Sequence, residues 1–209
     1  MSLCELETNT ILPMRYLKKD PQSSLLQEAY RYEKVSDRPK IRYQILKEQR
    51  GFCAYSERFI KVTDETDIEH FDPRLKDTPE DGYKNWYVVL PWFNSRKPKK
   101  IEPFLPILSP SSPDIAKRIY YQKETGVFQA TDKDDVEAKN LIRFLKWDCN
   151  EFAEDCLKHV SRIRELRDLC GDEAFFLTKL QSYKDNLSFA TALEAELGID
   201  VDALLIQMQ

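Results

Sequence analysis

Two segments separated by a polar loop decide the fold: TDIEHF at residues 66–71 and WYVVL at residues 86–90. The second segment is aromatic and β-branched almost throughout, which is typical of a β-strand. The first has the length and extended character of a shorter strand. After it, Asn94 opens a basic segment with room for one helical turn before Pro98 limits it. This part of the chain is therefore predicted to form two strands followed by a short helix.

Four side chains in this stretch have the chemistry that cleavage of a phosphodiester requires. His70 has a reference pKa of about 6.5, so it can be neutral near pH 7 and accept a proton from water. Glu69 and the carboxamide oxygen of Asn94 are hard donors that suit Mg²⁺ or Mn²⁺. Asn85 is predicted to hold His70 by a hydrogen bond across the two strands. We therefore predict one divalent metal, with His70 and Asn85 as catalytic residues and Glu69 and Asn94 as metal ligands.

Charge is distributed unevenly along the 209-residue chain, whose net charge is -4. Residues 1–131 carry 22 basic and 19 acidic side chains, whereas residues 132–209 carry 10 basic and 17 acidic ones. Basic residues concentrate at 38–61 and at 96–100, on both sides of the predicted site. Because local potential steers a polyanion, the acidic average does not exclude nucleic acid as a partner. Three basic residues next to the site are the predicted nucleic-acid contacts: Arg74, Arg96 and Lys97.

Other patterns exclude several classes of protein. Neither GxxxxGK nor GxGxxG occurs, so nucleotide binding has no motif support. There is no apolar run of bilayer length and no basic-then-apolar N-terminal signal, and a cytoplasmic protein is expected. The scattered cysteines are predicted to be free thiols rather than a disulfide framework or a metal site. They are Cys4, Cys53, Cys149, Cys156 and Cys170.

Four segments together resemble the HNH, or ββα-metal, endonuclease superfamily. They are CAYSE at 53–57, IEHFDPR at 68–74, NW at 85–86 and NSRK at 94–97. In that superfamily a strand ending in Asp-His or Glu-His is followed by a structural Asn, and then by a His or Asn at the start of a helix. The resemblance implies an H-N-N version of this site, in which His70 is the general base, Asn85 positions it, and Glu69 and Asn94 bind the metal.

Within the superfamily, the segments look like a bacterial subgroup with the pattern CxYCE, EHFxPK, N and CxxCNxxK. Its members occur in anti-phage systems beside an ABC/SMC-like ATPase, as in Septu and certain retrons. The resemblance extends from about residue 37 to about residue 165. It implies a role in bacterial anti-phage defence and an ATPase of this kind as a partner.

The main departure from the subgroup concerns its structural zinc, which two CxxC pairs bind. The corresponding positions here are Cys53, Ser56, Leu90 and Phe93. Three of the four thiolates are absent, so no structural zinc is expected. An apolar cluster of Leu90 and Phe93 with Phe52 and Tyr55 is predicted to support the fold in its place.

Three functions remain open from the residues. The first is a metal-dependent HNH endonuclease acting on DNA, and the second is an RNase that uses the same site on tRNA or another structured RNA. The third is a catalytically silent adaptor that docks on the ATPase through the acidic helical half of the chain. We favour the first, because the departures are confined to the zinc positions and leave all four site residues in place.

The predicted fold class is α+β, with a small ββα-metal core embedded in a mostly α-helical single domain that carries an extra two-stranded hairpin. Residues 1–49 should form an N-terminal arm and helices, 50–108 the core, and 109–209 the hairpin and C-terminal helices. A core of this size needs its zinc or a substitute. The surrounding helices should therefore pack directly on this core. His159, in the longest of the predicted helices, is predicted to be a structural residue.

Overall fold

The computed structural model describes residues 14, 15 and 17–208, and its architecture is mixed α+β, as predicted. The strands are β1 Asp67–His70, β2 Trp86–Val89, β3 Ile119–Gln122 and β4 Val127–Ala130. The α-helices in these residues are α1 Ser24–Gln27, α2 Arg38–Glu48, α3 Pro91–Arg96, α4 Ile115–Arg118, α5 Val136–Leu145, α6 Asn150–Cys170, α7 Glu173–Gln181, α8 Ala190–Leu197 and α9 Val201–Gln207.

The antiparallel pair of β1 and β2 carries most of the predicted site. Ile68 lies opposite Val88, and His70 lies opposite Trp86. Residues 71–85 connect the two strands, and α3 follows β2 almost directly. The predicted order of strand, strand and short helix is confirmed. The helix begins at Pro91, whose fixed φ suits a first turn, so Asn94 lies inside α3 rather than at its start.

Gln49, directly after α2, fixes that helix to the edge of β2. Its Oε1 accepts a hydrogen bond from the Val88 amide at 3.0 Å, and its Nε2 donates to the Val88 carbonyl at 2.8 Å. The side-chain amide therefore pairs with the strand edge as a neighbouring strand would. This contact places α2 beside the two strands that carry the site.

The hairpin of β3 and β4 is confirmed and is held against α6 at its turn. Gly126 in this turn has a φ of +72°, in the region that favours glycine. A Cβ at this position would lie 2.9 Å from the carbonyl oxygen of Ala153 in α6. Both the backbone conformation and the close approach of α6 therefore require glycine here.

The positions that correspond to the zinc ligands of the subgroup are all buried: Cys53, Ser56, Leu90 and Phe93. The amide of Leu90 donates to Cys53 Sγ at 3.3 Å. Phe93 contacts Phe152 of α6, with 5.2 Å between ring centroids. The ring neighbours of Phe52 and Tyr55 are Phe59 and Tyr87. The long helix α6 thus packs on Phe93, whereas a cluster that joins Leu90 and Phe93 to Phe52 and Tyr55 stays a prediction.

Two elements differ from what the local sequence indicates. The apolar spacing from Leu25 to Tyr32 predicts a helix that continues to Tyr32, but α1 ends at Gln27 because Glu28 is extended. Tyr32 instead lies in a turn that faces the site. The last helix, α9, was not predicted, although Asp200 caps it by accepting a hydrogen bond from the Ala203 amide.

The cysteines described by the structure form no disulfides among themselves. Cys53, Cys149, Cys156 and Cys170 are free thiols, as predicted, whereas Cys4 and the arm up to residue 13 lie outside the described residues. None of the helices described between residues 14 and 208 combines the length and apolarity needed to cross a membrane.

His159 lies in α6, where its Nε2 is 3.1 Å from the carbonyl oxygen of Asn186. Burial lowers its pKa to about 4, despite the hydrogen bond to Asn186. The unfolded chain, with an ordinary histidine pKa of about 6.5, therefore binds a proton that the folded chain resists between these two pH values. Stability should fall as the pH drops through this window.

Between pH 7 and pH 4, we expect the free energy of unfolding to fall by about 1–3 kcal/mol less in His159→Gln than in the wild type. Glutamine does not titrate, and it retains a donor for the carbonyl of Asn186. Urea unfolding of the variant and of the wild type at several pH values measures the effect. Equal pH dependence in the two proteins would show that His159 does not control it.

Candidate active site

The predicted site residues meet at a cavity of about 430 Å³ between β1, α3 and the start of α2. Three of the four residues predicted for catalysis and metal binding line it: Glu69, His70 and Asn94. The remaining lining residues are Tyr32, Arg38, Arg42, Asp67, Ile68, Pro73, Lys76, Lys97, Pro98 and Lys99. The cavity therefore combines a histidine and oxygen donors with several basic side chains.

The imidazole of His70 is paired with a buried carboxylate. Its Nε2 lies 3.0 Å from Oδ2 of Asp81, whose side chain is only 3% exposed. Asp81 Oδ1 also accepts hydrogen bonds from Trp86 Nε1 at 2.9 Å and Asn85 Nδ2 at 3.3 Å. Burial opposes ionisation of Asp81, but the contacts with His70, Asn85 and Trp86 outweigh it and hold the pKa of the carboxyl below its usual range. Asp81 is therefore an ionised acceptor that orients His70.

Sequence reasoning missed Asp81, because residues 76–82 were interpreted only as a polar surface loop. The signal was present in the spacing: Asp81 precedes Asn85 by four residues, and a turn of 3-10 helix at Tyr83–Asn85 brings the two together. What the sequence did not reveal is that this loop folds back onto β1.

Asn85 is buried beside the end of β1, but its role differs from the predicted one. Its Oδ1 accepts from the Asp72 amide at 2.7 Å, and its Nδ2 donates to the Asp72 carbonyl at 3.0 Å. The Asn85 carbonyl also accepts from the Phe71 amide at 2.9 Å. Asn85 thus fixes the backbone that follows His70 and reaches the His70 ring only through Asp81. The predicted direct hydrogen bond is replaced by this relay.

Glu69 forms an ion pair with Lys97, and both side chains are almost fully buried. Lys97 Nζ lies 2.8 Å from Glu69 Oε1, and the two side chains are 5% and 7% exposed, respectively. The ammonium also donates to the carbonyls of His70 and Phe71 at 3.2 and 3.3 Å. Burial raises the pKa of the Glu69 carboxyl, although Lys97 acts in the opposite direction. Lys97 therefore neutralises Glu69 and ties it to the backbone around His70.

Asn94 projects from α3 towards β1, where its Nδ2 donates to Oδ2 of Asp67 at 2.9 Å. Asp67 is two residues before Glu69 in β1, and alternation along a strand places the two side chains on the same face. Sequence reasoning did not identify Asp67, although this spacing of two was visible. It adds a second carboxylate to the cavity.

The donors around this cavity fit a hard divalent cation by their chemistry. Glu69 Oε1 is buried and receives no well-directed hydrogen bond from the described residues, although the ammonium of Lys97 is close. Asn94 uses its nitrogen in the contact with Asp67, which leaves the carboxamide oxygen as a donor for a metal. Within residues 14–15 and 17–208 no group of three His, Cys, Asp or Glu side chains is placed to hold a metal, so a metal at this cavity would need the carboxamide of Asn94 as a ligand.

The basic residues predicted to bind nucleic acid have other partners. Arg74 forms an ion pair with Asp72 at 2.7 Å, and the Arg96 guanidinium lies 4.3 Å from the centroid of Trp92. Of the three predicted residues, only Lys97 lines the cavity, and it is paired with Glu69. The structure instead places Arg38, Arg42, Lys76 and Lys99 around the cavity.

Tyr32 covers one side of the His70 ring. Its ring meets the imidazole edge to face, with 4.4 Å between centroids. Arg38 and Lys76 lie over the Tyr32 ring at 4.5 and 5.3 Å from its centroid. His70 is consequently only 5% exposed, enclosed between Tyr32 and Asp81.

Comparisons with protein-family models, with curated proteins and with solved structures gave no match to this chain. A functional assignment must therefore rest on the motifs and on the geometry of the cavity.

Proposed function

We propose that this protein is a metal-dependent endonuclease of the HNH type that hydrolyses phosphodiester bonds in DNA. The observation that carries the proposal is the arrangement around His70. The buried carboxylate of Asp81 orients the imidazole. His70, Glu69 and Asn94 line one cavity that is surrounded by basic side chains. Oriented base, oxygen donors and local positive charge are the three requirements for this reaction.

The chain's own residues define where the proton is held. Because Asp81 is an ionised acceptor, the proton of the neutral imidazole belongs on Nε2, and Nδ1 is the nitrogen left to accept a proton from the attacking water. Asn85 and Lys97 fix the backbone at His70 and directly after it, so the orientation of the imidazole does not depend on substrate. A divalent metal, when bound by Glu69 and Asn94, would supply positive charge to offset the charge that develops on the departing oxygen.

The biological setting that we propose follows from the resemblance to the Septu and retron subgroup. It is anti-phage defence beside an ABC/SMC-like ATPase. DNA is the preferred substrate in this proposal, and RNA is an outcome that the experiment below distinguishes.

The proposal predicts that His70→Gln lowers the rate of Mg²⁺- or Mn²⁺-dependent cleavage by about 10²- to 10⁴-fold. Glutamine can still hydrogen-bond to Asp81 but does not act as a base near pH 7. The measurement is cleavage of matched DNA and RNA of one sequence, with and without each metal. His159→Gln is the matched control, because it removes the only other histidine, which lies outside the cavity.

Each outcome decides between the candidate functions. Cleavage of RNA alone would favour the RNase. Full activity of His70→Gln would refute the assignment of the base. A wild-type chain that cleaves neither substrate, and for which calorimetry detects no binding of Mn²⁺, would favour the adaptor.

A further inference from the structure

Three exposed basic side chains surround the cavity that contains His70: Arg42, Lys76 and Lys99. They come from three separate parts of the chain. Arg42 lies in α2, Lys76 in the connection between β1 and β2, and Lys99 just after α3. The fold therefore brings three positive charges from separate segments to the edge of one cavity.

None of these three side chains has an acidic partner among the described residues. The neighbouring basic residues differ in this respect, since Arg74 is paired with Asp72 and Lys97 with Glu69. Within residues 14–15 and 17–208, the ring contact of Lys76 with Tyr32 is the one polar or cation–π side-chain contact that these three residues make. Unpaired cations around a cavity repel one another, and an anion bound between them relieves that repulsion.

The carboxylates of the cavity do not neutralise this charge. Glu69 is already compensated by Lys97, and Asp67, which accepts a hydrogen bond from Asn94, can offset only one of the remaining positive charges. Two acidic side chains line the cavity, against five basic ones. The excess positive charge lies with the exposed residues, where it attracts a solvent-borne polyanion.

We infer that Arg42, Lys76 and Lys99 form a phosphate-binding rim that holds a nucleic-acid backbone over His70. Cations spread around the opening fit successive phosphates of a strand better than a single bound phosphate. Guanidinium and ammonium groups bind phosphate oxygens without reading bases, so the rim contributes affinity and register rather than sequence specificity. The inference rests on the proposed function for the choice of nucleic acid, but it concerns binding and is tested separately from cleavage.

The test compares two triple variants of the full chain with equal loss of charge. The rim variant is Arg42→Gln, Lys76→Gln and Lys99→Gln. The control variant is Lys117→Gln, Lys123→Gln and Arg143→Gln, which replaces exposed residues that do not line the cavity. Binding to a fluorescent DNA duplex is measured by anisotropy in EDTA over a series of salt concentrations.

For duplex DNA each phosphate contact contributes about 0.9 to the slope of log K against log salt concentration. We expect the rim variant to lose about 2–3 from this slope and at least about tenfold in affinity at low salt, and the control variant to bind like the wild type. Unchanged binding by the rim variant, or an equal loss in both variants, would overturn the inference.

Cleavage assays on the same proteins separate this inference from the proposed function. A wild-type chain that binds DNA through the rim, but cleaves neither DNA nor RNA with Mg²⁺ or Mn²⁺, supports the rim and refutes the nuclease. A rim variant that binds and cleaves like the wild type refutes the rim and leaves the nuclease standing.

Discussion

Asp81→Asn should lower kcat for phosphodiester cleavage by about 10²- to 10⁴-fold while changing KM little. The substitution keeps the size of the side chain and its contact distance to His70 Nε2, but a carboxamide that presents its NH₂ group forces the imidazole proton onto Nδ1. The nitrogen that should accept a proton from water is then already protonated. The loss should therefore appear in the chemical step rather than in substrate binding.

The tautomer of His70 distinguishes this positioning role from a structural one. In Asp81→Asn the ring proton should be found by NMR on Nδ1, whereas in the wild type it should be found on Nε2. Asp81 also accepts from Trp86 and Asn85, so thermal unfolding of the variant must be followed in parallel. Glu80→Gln, an exposed neighbour in the same loop, is the control. A variant that retains wild-type kcat would refute the role of Asp81.

Local sequence patterns were sufficient for the elements that carry the site. The aromatic and β-branched run at 86–90 predicts a strand and contains β2, whereas the helical turn predicted from Asn94 begins three residues earlier, at Pro91. The extra two-stranded hairpin is equally local, and it is found as predicted. Where a property depends on neighbours within a few residues, the sequence determined it.

Properties that depend on distant neighbours were not predictable in this way. Lys97 was assigned to phosphate because it lies in a basic run, yet the fold buries it against Glu69, 28 residues earlier in the chain. Asp81 looked like one more acid in a polar loop until the loop packed on β1. The rim is a similar case, because Arg42, Lys76 and Lys99 are far apart in sequence and share no pattern. Charge pairing is a tertiary property, and a linear motif does not encode it.

Lys97→Met should be the most destabilising single change in the site, by about 3–5 kcal/mol near neutral pH. Methionine retains an unbranched apolar side chain that can pack beside Phe144, whose ring centroid lies 4.5 Å from Lys97 Nζ. Packing is therefore largely preserved, whereas Glu69 is left as a buried carboxylate without its ion-pair partner. The loss measured by urea unfolding should thus report the cost of an uncompensated charge.

The pH dependence of this loss has a definite sign. Burial already raises the pKa of Glu69 in the folded chain, and removal of Lys97 raises it further. A raised folded-state pKa favours folding at low pH, where the buried carboxyl is protonated, and this advantage is lost as the pH rises through the folded-state value. Relative to the wild type, Lys97→Met should therefore be less destabilised at pH 5 than at pH 7.5.

Two further measurements connect this ion pair with the proposed metal. Adding Glu69→Gln to Lys97→Met should restore much of the stability, because no buried charge remains, whereas the exposed Lys100→Met should have little effect. If Glu69 is a metal ligand, Mn²⁺ should raise the Tm of Lys97→Met more than that of the wild type, since the cation takes the place of the lost ammonium. A loss of stability that is equal at both pH values and is not rescued by Glu69→Gln would mean that Lys97 acts through packing alone. In that case the Glu69 carboxylate would not be the buried charge on which the metal proposal depends.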